Sequence, residues 1–178
     1  MFYPHSYQTG EVLEKGEDEI VVSYIVLPTS FAHGFSDKGL ELRGFWGWSG
    51  WDIGSLGIGV TKSLTKDEKF YTSGTAETEF VFNTEYDFTG MRIIGTYALG
   101  YNPIPQFGIY TPIKVAYLFY DFNGEKGGGF SFVPGLGISF EPQKKTVFRI
   151  GGNIPSPSLL DENVEQHLWV YVQVVFRW

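Results

Sequence analysis

At 178 residues the chain has room for one well-developed core and little for two, so it reads as a single domain, 1–178. Its net charge of −7 opposes binding to a phosphate backbone, and the absence of cysteine excludes disulfides, thiolate chemistry and Cys-based zinc sites. A composition of 43% hydrophobic and 18% aromatic residues with 23 glycines excludes a disordered chain and favours many short strands joined by turns.

In chain order, residues 1–17 form a lead-in segment. Its opening Met-Phe-Tyr-Pro-His lacks a basic region followed by an apolar one, so export implies a signal already removed. Residues 18–27 are a β-branched run. Residues 38–48 alternate Leu40, Leu42, Trp46 and Trp48, and residues 52–64 alternate Leu56, Ile58 and Val60 with Gly57, Gly59 and Thr61. The clearest strand is 75–88, where Thr78, Phe80, Phe82, Tyr86 and Phe88 alternate with Glu77, Glu79, Asn83, Glu85 and Asp87. It forms a hairpin with 91–101, in which Met91, Ile93, Tyr97, Leu99 and Tyr101 lie opposite Arg92 and Thr96. Further strands are read at 112–121, 129–141, 146–152 and 164–178, and no segment has helical periodicity.

These runs amount to about nine strands, whereas a single-chain bacterial membrane barrel has an even number. An extra strand at 10–13 or 106–110 would make ten, and loss of a short one would make eight. The intervals 28–37, 65–74, 102–111 and 153–163 hold most prolines and read as loops.

So many antiparallel strands leave open edges unless they close, and Gly57, Gly59, Gly135 and Gly137 on one face suit a narrow lumen. The expected fold is all-β: a closed antiparallel up-and-down barrel of about 8–10 strands, spanning a membrane. No run of eighteen apolar residues exists for a transmembrane helix, but membrane strands need only about 9–11 residues of alternating apolarity. The polar faces are rich in Gly, Ala, Ser and Thr, whereas a water-facing surface carries more charge. Trp46, Trp48, Trp51, Tyr97, Tyr101, Phe176 and Trp178 sit toward strand ends, as membrane-interface aromatics would. Core packing in a two-sheet sandwich is the competing reading of the same rings.

Residues Val170, Val172, Val174, Phe176 and Trp178 share one alternating face that ends on an aromatic. This closing pattern resembles the final strand of bacterial outer-membrane β-barrels, although the glycine usual there is missing and Trp replaces the commoner Phe. The resemblance implies residence in the bacterial outer membrane, contact with its lipid and recognition by the barrel-assembly machinery through the C-terminal strand. The resemblance leaves the task open; the leading expectation is a structural, adhesive or narrow-pore protein, with a protein partner at the loops as a further expectation.

With the even face of the last strand toward lipid, the lumen receives Glu165, His167, Trp169, Tyr171, Gln173 and Arg177, together with Glu77, Glu79, Glu85, Arg92, Lys114 and Arg149. Buried charges are costly unless paired, so a plugged, rigid interior is expected over a conducting path. No catalytic residue is assigned. Of the three histidines, only His167 beside Glu165 suggests a lipid-modifying enzyme. No metal site, cofactor site or phosphate-binding loop is read, and Gly127-Gly128-Gly129 is taken as a turn. A soluble lipocalin-like carrier of an apolar ligand is the alternative, since Gly44-Phe45-Trp46 resembles the lipocalin Gly-x-Trp signature.

Overall fold

The computed structural model describes residues 11–23, 27–49, 53–67, 69–83, 85, 87–143, 145–153 and 169–178. These residues form ten strands: β1 (Asp18–Ser23), β2 (Leu27–Ser36), β3 (Leu40–Ser49), β4 (Ile53–Lys66), β5 (Phe70–Asn83), β6 (Phe88–Ile104), β7 (Phe107–Phe122), β8 (Glu125–Gln143), β9 (Thr146–Asn153) and β10 (Trp169–Arg177). Each pairs antiparallel with its neighbours in sequence. Since β1 also pairs with β10, the sheet closes on itself as an up-and-down barrel.

The tenth strand is β2, which lies at neither place considered for an extra one. Residues 11–14 are not a strand, and 107–110 are the opening of β7. Turn-forming Pro28, Ser30 and Gly34 give this segment the composition of a loop. Yet Phe31 and Phe35 point outward while Ser30 and Ala32 are buried, which is strand alternation with a small-residue inner face. The intervals read as loops at 65–74 and 102–111 likewise shrink, because β4 and β5 extend to Lys66 and from Phe70, and β6 and β7 to Ile104 and from Phe107. Most of the interval 153–163 lies outside the described residues.

The strand predicted at 75–88 ends at Asn83. Phe88 opens β6 with its ring buried, so a turn breaks the alternation between Phe82 and Phe88. At the other extreme of the chain, Asp18 and Trp178 exchange backbone hydrogen bonds of 3.1 Å in both directions. An even strand count thus brings both ends of the barrel chain to one mouth.

The barrel has inverted polarity. Leu56 is 61% exposed and Ile58 58%, whereas the acidic Glu77 and Glu79 facing inward from β5 are buried. Outward positions from Ile20 and Val22 on β1 round to Val172 and Val174 on β10 are apolar, aromatic, Thr or Gly over the middle of the wall. Outer charges such as Lys62, Asp121 and Lys126 fall toward strand ends.

Inside, aromatic rings lie across glycines on the adjoining strand. Phe45 covers Gly57, Tyr71 covers Gly100, Tyr110 covers Gly137, and Tyr171 covers Gly151, each a directly paired residue. A side chain at any of these glycines would occupy the space of the ring, so the narrow lumen needs both members. Gly137→Val is therefore expected to destabilise the barrel by about 1–3 kcal/mol through overpacking against Tyr110. Urea unfolding of protein refolded into lipid vesicles measures this, and an unchanged midpoint would contradict the ring-on-glycine account.

Candidate functional site in the barrel lumen

Closure turns the polar faces of different strands toward one another. Glu19 of β1 becomes a hub for three guanidinium groups: Arg43 of β3 at 3.3 Å, Arg149 of β9 at 3.3 Å and Arg177 of β10 at 3.0 Å. Arg43 also pairs with Glu41 at 2.8 Å, and Arg177 reaches Glu11 at 2.6 Å. Glu19, Glu41, Arg43 and Arg149 are all buried. In such a setting an unpaired charge costs several kcal/mol, so the multiple partners are what make the burial tolerable.

A second centre lies on the wall formed by β5 to β7. Arg92 Nε sits 2.9 Å from Glu79 Oε2, with both side chains essentially inaccessible. Lys114 and Glu77 are buried on the same wall, and Glu77 acts electrostatically on both Lys114 and Arg43. Through Glu77 the two centres form one web of alternating charge. Neutral contacts complete the filling, as Tyr171 donates to Tyr110 across 3.0 Å and Gln173 donates to Ser23 Oγ across 3.0 Å.

The mouth that carries the termini is crossed by residues 11–17. Gly16 N donates to Gly34 O at 2.7 Å, and Gly34 N donates back to Glu17 O at 2.9 Å. Gly34 must lack a side chain here, because a Cβ would collide with the Glu14 carbonyl. Leu13 is buried, and its N–H donates to Glu41 Oε2 at 3.2 Å. Exposed ion pairs join Lys15 to Asp37 and Lys66 to Glu14. A cavity of about 560 Å³ remains between this segment and the neighbouring strand ends, lined in part by Tyr71, Asn102, Ser36 and Thr65.

Of the polar residues assigned to the lumen from sequence, Glu77, Glu79, Arg92, Lys114 and Arg149 are buried, and Arg177 is mostly so at the termini-bearing mouth. Glu85 is a correction: β5 has ended, and this side chain is exposed in the turn before β6, its backbone N–H bonded to Asn83 Oδ1. Glu165 and His167 lie outside the described residues. Sequence reading missed Glu19, Glu41 and Arg43. Their signal was the alternation of Glu41, Arg43 and Phe45 with Leu40, Leu42 and Gly44, the same period that exposed the acids of β5.

Among the aromatics, Trp46, Trp48, Tyr97, Phe176 and Trp178 are exposed on the outer wall. Tyr101 is half-buried and stacks on Phe70 at 4.5 Å, and Trp51 lies outside the described residues. Trp48 packs edge-on to Phe82 at 5.9 Å near the mouth opposite the termini, while Tyr101, Phe176 and Trp178 lie toward the termini. Among the described histidines, His33 pairs with Asp18 at 2.8 Å on the outer side of the sheet, away from the lumen.

A closed, even-stranded antiparallel barrel with an apolar outside and an ion-paired inside is a β-barrel of the outer-membrane type. No protein-family model and no curated protein matches the sequence. Among solved structures the chain is similar to OmpT, an outer membrane protein of Vibrio cholerae, with 10% identity and a TM-score of 0.46 over 86% of this chain and 55% of that one. It therefore spans about half the length of OmpT. It is also similar to the KdgM porin in complex with disordered oligogalacturonate, with 8% identity and a TM-score of 0.47 over 91% of this chain and 98% of that one.

Neutralising the hub by Glu19→Gln leaves three guanidinium groups around an amide. The expected loss is about 3–5 kcal/mol, as for removal of one partner from a buried ion pair. The temperature at which the heat-modifiable folded band disappears on a semi-native gel should fall accordingly, and an unchanged temperature would remove Glu19 from the centre of the network.

Proposed function

We propose that this protein is an integral barrel of the bacterial outer membrane whose lumen is plugged by its own ion pairs, so that it serves as a structural or adhesive element presenting its loops. The observation that carries the reading is the burial of Glu19, Arg43, Glu79, Arg92, Lys114 and Arg149 across the lumen, with apolar residues on the outside. A diffusion pore needs a hydrated path, whereas a barrel this narrow is filled by side chains. In this reading the termini-bearing mouth faces the periplasm.

A narrow pore is the second reading, favoured by the cavity of about 560 Å³ at the mouth crossed by residues 11–17. The lipocalin-like carrier is set aside, because such a carrier keeps an apolar interior and a charged exterior, the reverse of this distribution. The enzyme reading rests on His167, which lies outside the described residues.

Three measurements test the proposal. Protein purified in detergent and added to planar bilayers should give no discrete conductance steps, and stable steps would favour the pore. Ile58→Arg, on the outer wall, should cost about 2–4 kcal/mol of folding free energy in lipid vesicles if that position meets the bilayer midplane. Full solubility of the unaltered protein without detergent would refute the membrane assignment.

A further inference from the structure

The contacts that span the greatest sequence distance converge on β1. Glu19 meets Arg149 and Arg177, 130 and 158 residues away, and Ser23 meets Gln173 across 150 residues. Glu11, in the segment leading into β1, meets Arg177 across 166 residues. These groups bridge the junction where the first strand joins the last.

Among the described residues β1 pairs with β10 over residues 19–23, extended by the Asp18–Trp178 exchange, whereas β5 and β6 pair along all of β5. The ladder elsewhere joins strands adjacent in sequence, so each hairpin can form locally. The β1–β10 seam can form only once the rest of the sheet has curled round, and the loop-closure cost then falls on that seam.

From this geometry we infer that Glu19, with Arg149, Arg177 and Glu11, is a closure latch: a buried ionic staple that sets the register of β1 on β10 and holds the seam shut. Glu19 already has Arg43 from its own side of the chain, so an open sheet leaves it with one guanidinium and leaves Arg149 and Arg177 without it. Closing the seam brings all three together in a site screened from water, where each attraction to Glu19 acts through a lower effective dielectric and the carboxylates of Glu41 and Glu11 offset the repulsion among the guanidinium groups. Arg177 ties the latch to the lead-in segment through Glu11, so residues 11–17 act as a strap across the same seam. The Glu79–Arg92 pair joins neighbouring strands β5 and β6 and has no such role.

The test compares two buried charge-neutralising variants of the full chain, refolded into lipid nanodiscs, by hydrogen exchange. Glu19→Gln should speed amide exchange in residues 18–23 and 171–177 by about tenfold or more beyond any change in β5 and β6, because the seam opens locally. Glu79→Gln should leave the seam at the rate of the unaltered protein. Adding Val22→Cys with Val174→Cys, a directly paired couple across the seam in a chain with no cysteine of its own, should restore seam protection to the Glu19→Gln variant once oxidised. If Glu19→Gln fails to insert, the same disulfide should recover insertion. Uniform acceleration across all strands, equal seam opening by Glu79→Gln, or no recovery with the disulfide would overturn the latch.

Discussion

Backbone groups in a lipid environment have no water to bond, so every N–H and C=O along a membrane strand needs a partner within the sheet. The rest of this molecule depends on that constraint. An open sheet of ten strands would leave two unpaired edges, and closure of β1 on β10 removes both. Once the sheet is closed, its inner faces meet in a confined space and its outer faces become the surface seen by the surroundings.

Confinement decides the chemistry of the lumen. Two devices fill it: rings laid on glycines, and carboxylates set among guanidinium groups. Both depend on residues from different strands having complementary size or sign. Phe45 fits because Gly57 is bare, and Glu19 is tolerable because Arg43, Arg149 and Arg177 converge on it. The small inner residues of β2, Ser30 and Ala32, leave space beside the hub, which explains why a strand of loop-like composition belongs in this wall. The ion pairs contribute less to net stability than their number suggests, since desolvation offsets much of the attraction.

Much of the barrel was legible because period-two alternation survives in a single sequence. Residues 75–83 and 91–101 displayed two faces of opposite character, and the structure places them on β5 and β6 as a hairpin. Alternation is blind where one face is small. β2 was therefore hidden, with Pro28 and Gly34 reading as turn residues, and the strand count came out odd. Turns were blurred for a related reason: the period seemed to continue through Glu85 to Phe88, although the chain reverses there and reassigns the faces. Glu41 and Arg43 were equally visible in principle, but the apolar members of β3 dominated that run.

The sequence by itself determined the class of element and the two-sided character of the strands, because these follow from local period and composition. It also placed apolar residues at the end of the chain on one face of the last strand. Only the tertiary structure decided that β1 and β10 are partners, that Glu19 gathers three arginines, and that residues 11–17 cross the mouth. These are properties of closure. They join residues more than a hundred positions apart, and local periodicity holds no information on which inner faces meet until the sheet has curled into a ring.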